Sequence, residues 1–496
     1  MAVGKATMEN LLETTRFSVG WTFRAQVIRQ GGQFISTAVL ARLILPSEFG
    51  VVSMAYVFIG FLQLFSDFGF GPALIQRRDV DDVLIGSCLW MNIIIGAMLV
   101  FLTVFLAPLA ADFYHQPEVR PVLVAISLSF PLASVSTVQQ ALLEKEMNFK
   151  FVALADIGSA IVSTFGSIVL ALLGFGVWSL VGRALLSAIV KSGVLLTKTR
   201  VNQLIRFSPR RLKPVLSFSL NMTGFNVVNY FARNADNLLI GKFLGAQDLG
   251  YYNIAYQLML YPLIYVTGLV GRVLYPVLVK FQDNLQRFRD IYLKSNRLIA
   301  FVTFPLMMGL FGVADDFILG IFGPKWSPAI NVVKILAWVG LVQSIVSLVG
   351  NIYQSFNRMG VMFVWSLFAT AGAVVSFIIG LRWGIVGVSF AYAVISYVLV
   401  IPGLKIPFRL IDLPFTAVVR EVAGTMLSSL LMLAVVLLLR QAILAPSGMQ
   451  PAFMLVVEVS VGVVSYAFIS RLVNSRQVRE VLAVLPARYQ RFFAWV

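Results

Sequence analysis

Residues 26–37 read Gln26-Val27-Ile28-Arg29-Gln30-Gly31-Gly32-Gln33-Phe34-Ile35-Ser36-Thr37, and residues 226–237 read Asn226-Val227-Val228-Asn229-Tyr230-Phe231-Ala232-Arg233-Asn234-Ala235-Asp236-Asn237. Gln26, Arg29, Gln30, Gln33 and Thr37 share their spacing with Asn226, Asn229, Tyr230, Arg233 and Asn237, 200 positions later. Steps of three and four residues place each set on one face of an α-helix. The flanks are apolar enough to lie in a bilayer, where a guanidinium at mid-depth costs at least about 2.5 kcal/mol. A chain that carries this cost twice, in register, is expected to have two halves facing one polar cavity. That is the arrangement of a transporter.

The composition agrees. The 496 residues are 59% hydrophobic and 12% charged, with a mean hydropathy of +0.87; soluble domains carry about 25% charged residues. Apolar runs recur along the whole length, which excludes a soluble enzyme on a single anchor. The first 17 residues are polar, so no cleavable signal peptide is expected. The single cysteine, Cys88, excludes an internal disulfide and a thiolate metal cluster. The single histidine, His115, reads as a surface residue in a loop beside Pro117.

At about 20 residues per span, the hydropathy pattern predicts an all-α polytopic membrane protein of about fourteen transmembrane helices. Two parallel six-helix lobes are expected around a central cavity, followed by two extra C-terminal helices. Residues 1–197 form the N-lobe, 198–214 a basic cytoplasmic linker and 215–401 the C-lobe. Residues 402–471 hold the last two helices, and 472–496 form a cytoplasmic tail. Lys and Arg concentrate in alternate connections (1–17, 71–83, 143–151, 198–214, 271–297, 354–360, 402–420 and 472–496), which puts both termini in the cytoplasm. The net charge of +17 is then a topology signal, and no basic segment forms a separate nucleic-acid-binding domain.

The repeat runs beyond the stripes. Leu40-Ala41-Arg42, Glu48-Phe49-Gly50 and Ala55-Tyr56 match Ile240-Gly241-Lys242, Asp248-Leu249-Gly250 and Ala255-Tyr256, and Gly71 and Leu74 meet Gly271 and Leu274. Six spans separate the copies, so both cross the membrane in the same direction. Such parallel repeats place the binding site at their interface.

The stretch Leu40-Ala41-Arg42-Leu43-Ile44-Leu45-Pro46-Ser47-Glu48-Phe49-Gly50, with Phe65-Ser66-Asp67-Phe68-Gly69 and Ala73-Leu74-Ile75-Gln76, resembles Wzx-type polysaccharide and O-antigen flippases. These belong to the multidrug/oligosaccharidyl-lipid/polysaccharide flippase superfamily. The likeness is strongest over residues 20–150. It implies a V-shaped pair of lobes that alternates between inward and outward openings. It also implies an undecaprenyl-diphosphate-linked oligosaccharide as substrate, moved from the cytoplasmic to the periplasmic leaflet of a bacterial inner membrane for exopolysaccharide or lipopolysaccharide synthesis. Membrane lipids, and the polymerase and export machinery of the same pathway, are the implied partners. No covalent chemistry is implied.

The stripes suit that substrate chemically. Arginine pairs with phosphate oxygens through charge-assisted, often bidentate hydrogen bonds. Asn, Gln and Tyr offer neutral donors and acceptors for sugar hydroxyls. Arg29 and Arg233 therefore lead as diphosphate contacts, with Gln26, Gln30, Gln33, Asn226, Asn229, Tyr230 and Asn237 lining the cavity. Arg24 and Arg42 point away from the stripe on a straight helix and read as snorkelling side chains; a bend at Gly31-Gly32 would bring Arg24 to the cavity.

Acids are scarce in the spans: Asp67, Asp156, Asp236 and Glu458. Asp156 is expected to pair with Lys191, and Asp236 lies one turn from Arg233. Asp67 either braces the turn at Gly69, Gly71 and Pro72 or, like Asp236, serves as a gate or coupling carboxylate. Arg183, Arg272 and Lys334 are expected to pair locally or reach an interface. The acidic pairs Asp81-Asp82 and Asp315-Asp316 read as solvated loops. No cofactor or metal is expected; a coupling ion, H+ or Na+, would be the one addition. Two other classes compete with the flippase. An ion-coupled small-molecule exporter needs a titratable intramembrane carboxylate, and a membrane glycosyltransferase or polymerase needs a large external loop or an acidic metal motif.

Overall fold

Two helices end at residues 43 and 243, and the helices that follow them begin at Pro46 and Ala246. The 200-residue offset of the sequence is therefore an offset of secondary structure too. The computed structural model describes residues 28–66, 70–77, 80–198 and 233–475, together with Gln26, Ser208, Tyr230 and Phe231. They group into two compact units, Met1–Gly250 and Tyr251–Val496. Every regular element among the described residues is helical.

The first unit contains α1 (28–43), α2 (Pro46–Gln63), α3 (Phe70–Gln76), α4 (Asp82–Tyr114), α5 (Val119–Ser127), α6 (Ser129–Lys145), α7 (Phe149–Leu172), α8 (Val177–Leu196) and α9 (233–243). Next comes α10 (Ala246–Lys280), which carries the chain into the second unit. There follow α11 (Leu285–Gly312), α12 (Ala314–Phe317), α13 (Ala329–Val346), α14 (Val349–Ser355), α15 (Met359–Gly380), α16 (Gly384–Phe408), α17 (Phe415–Leu439) and α18 (Pro451–Val473).

Nine helical stretches among the described residues are long and apolar enough to cross a membrane. The longest, Met359–Ile411, contains both α15 and α16. It doubles back at Gly384, whose φ of 66° admits the turn, and Gly380 lies so close to the Gly387 carbonyl that a Cβ would collide with it. A tenth candidate is bent by 42° between Ala246–Gly268 and Val273–Lys280, in a helix that contains Pro262 and Pro276.

The correspondence between the halves outlasts the ungapped sequence match. Val119–Lys145 and Ala329–Ser355 are both 27 residues long and begin 210 positions apart. The turns that follow them are the same turn. Met147 has φ 58° and Asn357 φ 53°, both left-handed. Asn148 N–H donates to Leu143 O at 2.8 Å, and Arg358 N–H donates to Tyr353 O at 2.8 Å. These bonds satisfy carbonyls that a helix end would otherwise strand. Helices α7 and α8 then correspond to α15 and α16, while α17 and α18 have no counterpart among the described residues.

Packing inside each unit follows membrane rules. Along α7 the buried residues Ser159, Ser163, Ser167 and Ala171 recur every fourth position, while Ile161, Phe165 and Leu172 point outward. Small residues let backbones approach closely where lipid provides no hydrophobic drive between helices. Gly166 accordingly faces Leu186 of α8, and Gly182 faces Leu170. In the second unit a cluster of Leu274, Phe288, Tyr292, Ile299, Ile352 and Phe408 ties α10, α11, α14 and α16 together.

Glu48 joins two helix starts. Its Oε2 accepts from Leu45 N at 2.8 Å, capping its own helix α2. Its Oε1 accepts from Val177 N at 2.9 Å, at the first turn of α8. A carboxylate at a helix N-terminus complements the macrodipole there. Gly176, with φ 53°, leaves no Cβ to obstruct it.

Candidate functional site

The first stripe occupies α1, which stays helical through Gly31 and Gly32. Arg29 is exposed, and its Nη2 donates to Gln26 Oε1 at 2.7 Å, one turn away. Gln33 is also exposed and Gln30 is half-buried. A Cβ on Gly31 or Gly32 would meet no atom of the described residues within 4 Å, so none of them crowds the backbone beside Arg29. Thr37 departs from this exposed set. It is buried, its hydroxyl donates to Gln33 O at 2.9 Å, and it accepts from Arg183 Nη1 at 3.4 Å. Ser36 meets Ser167 at 3.5 Å between side-chain oxygens. The far end of the stripe thus turns into the unit while the Arg29 end stays open.

The second stripe divides similarly. Arg233 is exposed and Asn237 half-buried. The Tyr230 hydroxyl donates to Val57 O at 2.7 Å in α2, and it rests where a Cβ on Gly60 would collide with it. Phe61 packs beside the Tyr230 and Phe231 rings. Asp236 is buried, and its Oδ1 accepts from Asn237 N at 2.8 Å. Arg24, Asp67, Asn226 and Asn229 lie outside the described residues.

Lys191 and Asp156 pair at 2.9 Å between α8 and α7, as their matching depth suggests. The second acidic pair departs from expectation. Asp315 and Asp316 do not form a solvated loop. Asp316 is 3% exposed, and both belong to a charge cluster between helices. Lys334 Nζ of α13 lies 2.7 Å from Asp315 Oδ2, and Arg440 Nη1 lies 3.0 Å from the same oxygen. Arg440 Nε donates to Asp316 Oδ2 at 2.8 Å and stands 3.5 Å from Glu458 Oε1 of α18. Two cations hold the carboxylates out of water, since an unpaired buried charge costs several kcal/mol.

Lys334 also lines a pocket of about 700 Å³ with Phe311, Trp338, Phe390, Tyr397 and Val398. One ammonium on an apolar, aromatic wall is a setting for an anion carrying an apolar body.

Residues 39–331 match the family model described as polysaccharide biosynthesis protein. The chain belongs to that family. Lipopolysaccharide biosynthesis protein WzxC of Escherichia coli (strain K12) is 28% identical to it over 396 residues, 78% of this chain and 80% of that protein. Succinoglycan biosynthesis transport protein ExoT of Rhizobium meliloti (strain 1021) is 29% identical over 366 residues, 73% of this chain and 74% of that one. A solved structure of the lipid II flippase MurJ in an inward closed conformation superposes with a TM-score of 0.72 at 16% identity. The match covers 92% of this chain and 98% of that chain, and establishes a shared all-helical membrane fold.

In this polysaccharide biosynthesis protein, two features went unread in the sequence. The Arg440 cluster draws on residues from four helical segments, and no one segment shows it. Depth matching of the kind that pairs Asp156 with Lys191 places Asp315, Asp316, Arg440 and Lys334 near one end of their helices, but it does not say which of those helices meet. Glu48 stands in the Leu40–Gly50 motif, and its second partner, Val177, is visible only in three dimensions.

Proposed function

We propose that this multi-pass membrane protein flips an undecaprenyl-diphosphate-linked oligosaccharide from the cytoplasmic to the periplasmic leaflet of a bacterial inner membrane. Both termini would be cytoplasmic, and the lobes 1–197 and 215–401 would alternate access to the substrate. The observation that carries this reading is the open end of the first stripe. Arg29 is exposed beside two glycines that no described residue crowds, on a helix of a family member of polysaccharide biosynthesis. A flexible guanidinium next to uncovered backbone can receive a compact anion that a crowded helix face would exclude.

Arg29 and Arg233 would hold the diphosphate, with Gln26, Gln30, Gln33, Asn226, Asn229 and Asn237 reading the sugars and Arg24 flanking them. Tyr230 would chiefly brace the second stripe, because its hydroxyl is already committed to Val57. The prenyl tail would stay in lipid, and no bond of the substrate would be made or broken. The names of WzxC and ExoT, in lipopolysaccharide biosynthesis and succinoglycan transport, support the substrate class. Handing the flipped unit to a polymerase of the same pathway follows from that assignment.

The test is export in cells that lack the chromosomal copy. Arg29→Gln and Arg233→Gln, introduced singly, should each abolish polymer at the surface while protein abundance stays at the wild-type level. Normal export from both variants would remove the site assignment. The competing reading, an ion-coupled exporter of small cations, gains from the buried carboxylates of Asp316 and Glu458. Against it, among the described residues the charged group lining the neighbouring pocket is Lys334, a cation. Efflux of a cationic dye dependent on Glu458, with polymer export intact, would favour that reading.

A further inference from the structure

Glu458 is fully buried, and among the described residues no N–H or hydroxyl donates to either of its carboxylate oxygens. Its Oε1 points at Arg440 Nε from 3.5 Å, but that N–H already donates to Asp316 Oδ2 at 2.8 Å. One guanidinium N–H therefore faces two carboxylates from different helices. The remaining acid, Asp315, takes Arg440 Nη1 and Lys334 Nζ at 3.0 and 2.7 Å. Three carboxylates share two cations. The elements packed on α18 include α11, α12, α17 and the turns Ile318–Phe322 and Arg440–Leu444. The charged groups they bring to Glu458 are Asp315, Asp316 and Arg440.

Carboxylates that face one guanidinium N–H in apolar surroundings repel each other, and a buried acid without its own counter-charge is costly. The missing positive charge has to come from a proton or a metal cation. Among the described residues no three acids, histidines or cysteines converge as a group able to hold a metal. A proton needs no such group: it binds one carboxylate oxygen and donates to another.

We propose that Glu458 and Asp316 form a proton-binding site within the membrane, and that Lys334 links its occupancy to an anion in the adjacent pocket. The link is electrostatic. An anionic group entering the 700 Å³ pocket competes with Asp315 for the Lys334 ammonium. Asp315 then leans on Arg440 alone, and three carboxylates facing one cation take up a second proton from water. Withdrawal of the anion returns Lys334 to Asp315 and releases that proton. The site itself stands on the geometry; its linkage to cargo rests on the transport reading given above.

The test uses the full chain in lipid nanodiscs and infrared difference spectroscopy between acid and neutral pH, reading the C=O band of a protonated carboxylic acid. The wild type should show a titrating band that is lost in Glu458→Gln and shifted in Asp316→Asn. Asp412→Asn, at an exposed turn outside the cluster, should leave it unchanged. Glutamine keeps the shape of the neutral acid, so Glu458→Gln should fold; if it does not, Asp316→Asn carries the same reading. A band unchanged in both cluster variants, or a signal that follows Na+ at constant pH, would overturn the site. In proteoliposomes, flipping of a lipid-linked oligosaccharide should respond to a proton gradient in the wild type and lose that response in Glu458→Gln. A retained response overturns the link alone, and a wild type that flips nothing overturns the transport reading while the infrared result still decides the site.

Discussion

Gly50 and Gly250 pack against each other's helices by reciprocal contacts. A Cβ on Gly50 would overlap the backbone carbonyl of Ala246, and one on Gly250 would overlap the carbonyl of Pro46. Pro46 and Ala246 are themselves the first residues of the two helices, 200 positions apart. Residue i thus meets the partner of j where j meets the partner of i, the signature of a local two-fold relation. The repeat in the sequence is, at this point, a packing requirement.

Gly50→Val and Gly250→Val should each lower the yield of folded protein sharply. The collision is with backbone, which cannot rotate away, and overpacking alone costs about 1–3 kcal/mol. Gly31→Ala and Gly32→Ala should instead leave the melting temperature unchanged or raised, because no atom of the described residues is near and Ala favours the helix by up to about 1 kcal/mol. Thermal melts followed by size-exclusion chromatography in detergent compare the four. The two alanine variants test function separately: extra methyls beside Arg29 should reduce export if the space admits a headgroup.

Tyr230→Phe removes the bond from the hydroxyl to Val57 O and keeps the ring against Phe61. A loss of about 0.5–1.5 kcal/mol is expected, seen as a lower melting temperature. Export should persist, since the hydroxyl is committed to the fold. Abolished export at unchanged stability would return Tyr230 to the substrate-reading set.

Much of this was legible in advance, for physical reasons. Hydropathy marks spans because the bilayer demands about 20 apolar residues at a time. The polar stripes stand out because each polar residue in them is expensive. The later part of the repeat was not legible. Past Leu74 and Leu274 the offset drifts from 200 to 210, and aligned apolar residues no longer coincide. What survives is the turn at Met147 and Asn357, a backbone conformation that different side chains adopt. The Arg440 cluster was missed for another reason. Asp315 and Glu458 are 143 positions apart, and their meeting at Arg440 depends on how α12 and α18 pack, which local spacing does not record.

Glu48→Ala should destabilise by about 1–3 kcal/mol, because it uncaps α2 and strips the Val177 N–H of its acceptor at once. Glu48→Gln, which keeps an acceptor oxygen, should recover part of that. Hydrogen exchange at Leu45 and Val177 checks the mechanism: both amides should exchange faster in the alanine variant, whereas an effect confined to one would contradict the double cap.

Arg440→Met should be far more damaging than Lys334→Met. Arg440 contacts Asp315, Asp316 and Glu458, while Lys334 contacts Asp315 alone among the cluster acids. Removing one partner from a buried charge pair costs about 3–5 kcal/mol. Arg440→Met should therefore yield little folded protein, and pairing it with Asp316→Asn and Glu458→Gln should restore yield. Protein recovered per cell, by gel filtration, measures both.

The most direct test of the account is flipping by the purified protein. Proteoliposomes are supplied with an undecaprenyl-diphosphate-linked oligosaccharide, and inward exposure of the sugar is read by lectin or enzyme protection. A charge-assisted contact to phosphate contributes about 1.5–3 kcal/mol, roughly 10- to 150-fold in affinity. The wild type should flip the lipid, and Arg29→Gln should raise the substrate concentration needed by a factor in that range with the fold intact. Unchanged flipping by Arg29→Gln and Arg233→Gln, alone and together, would contradict the account.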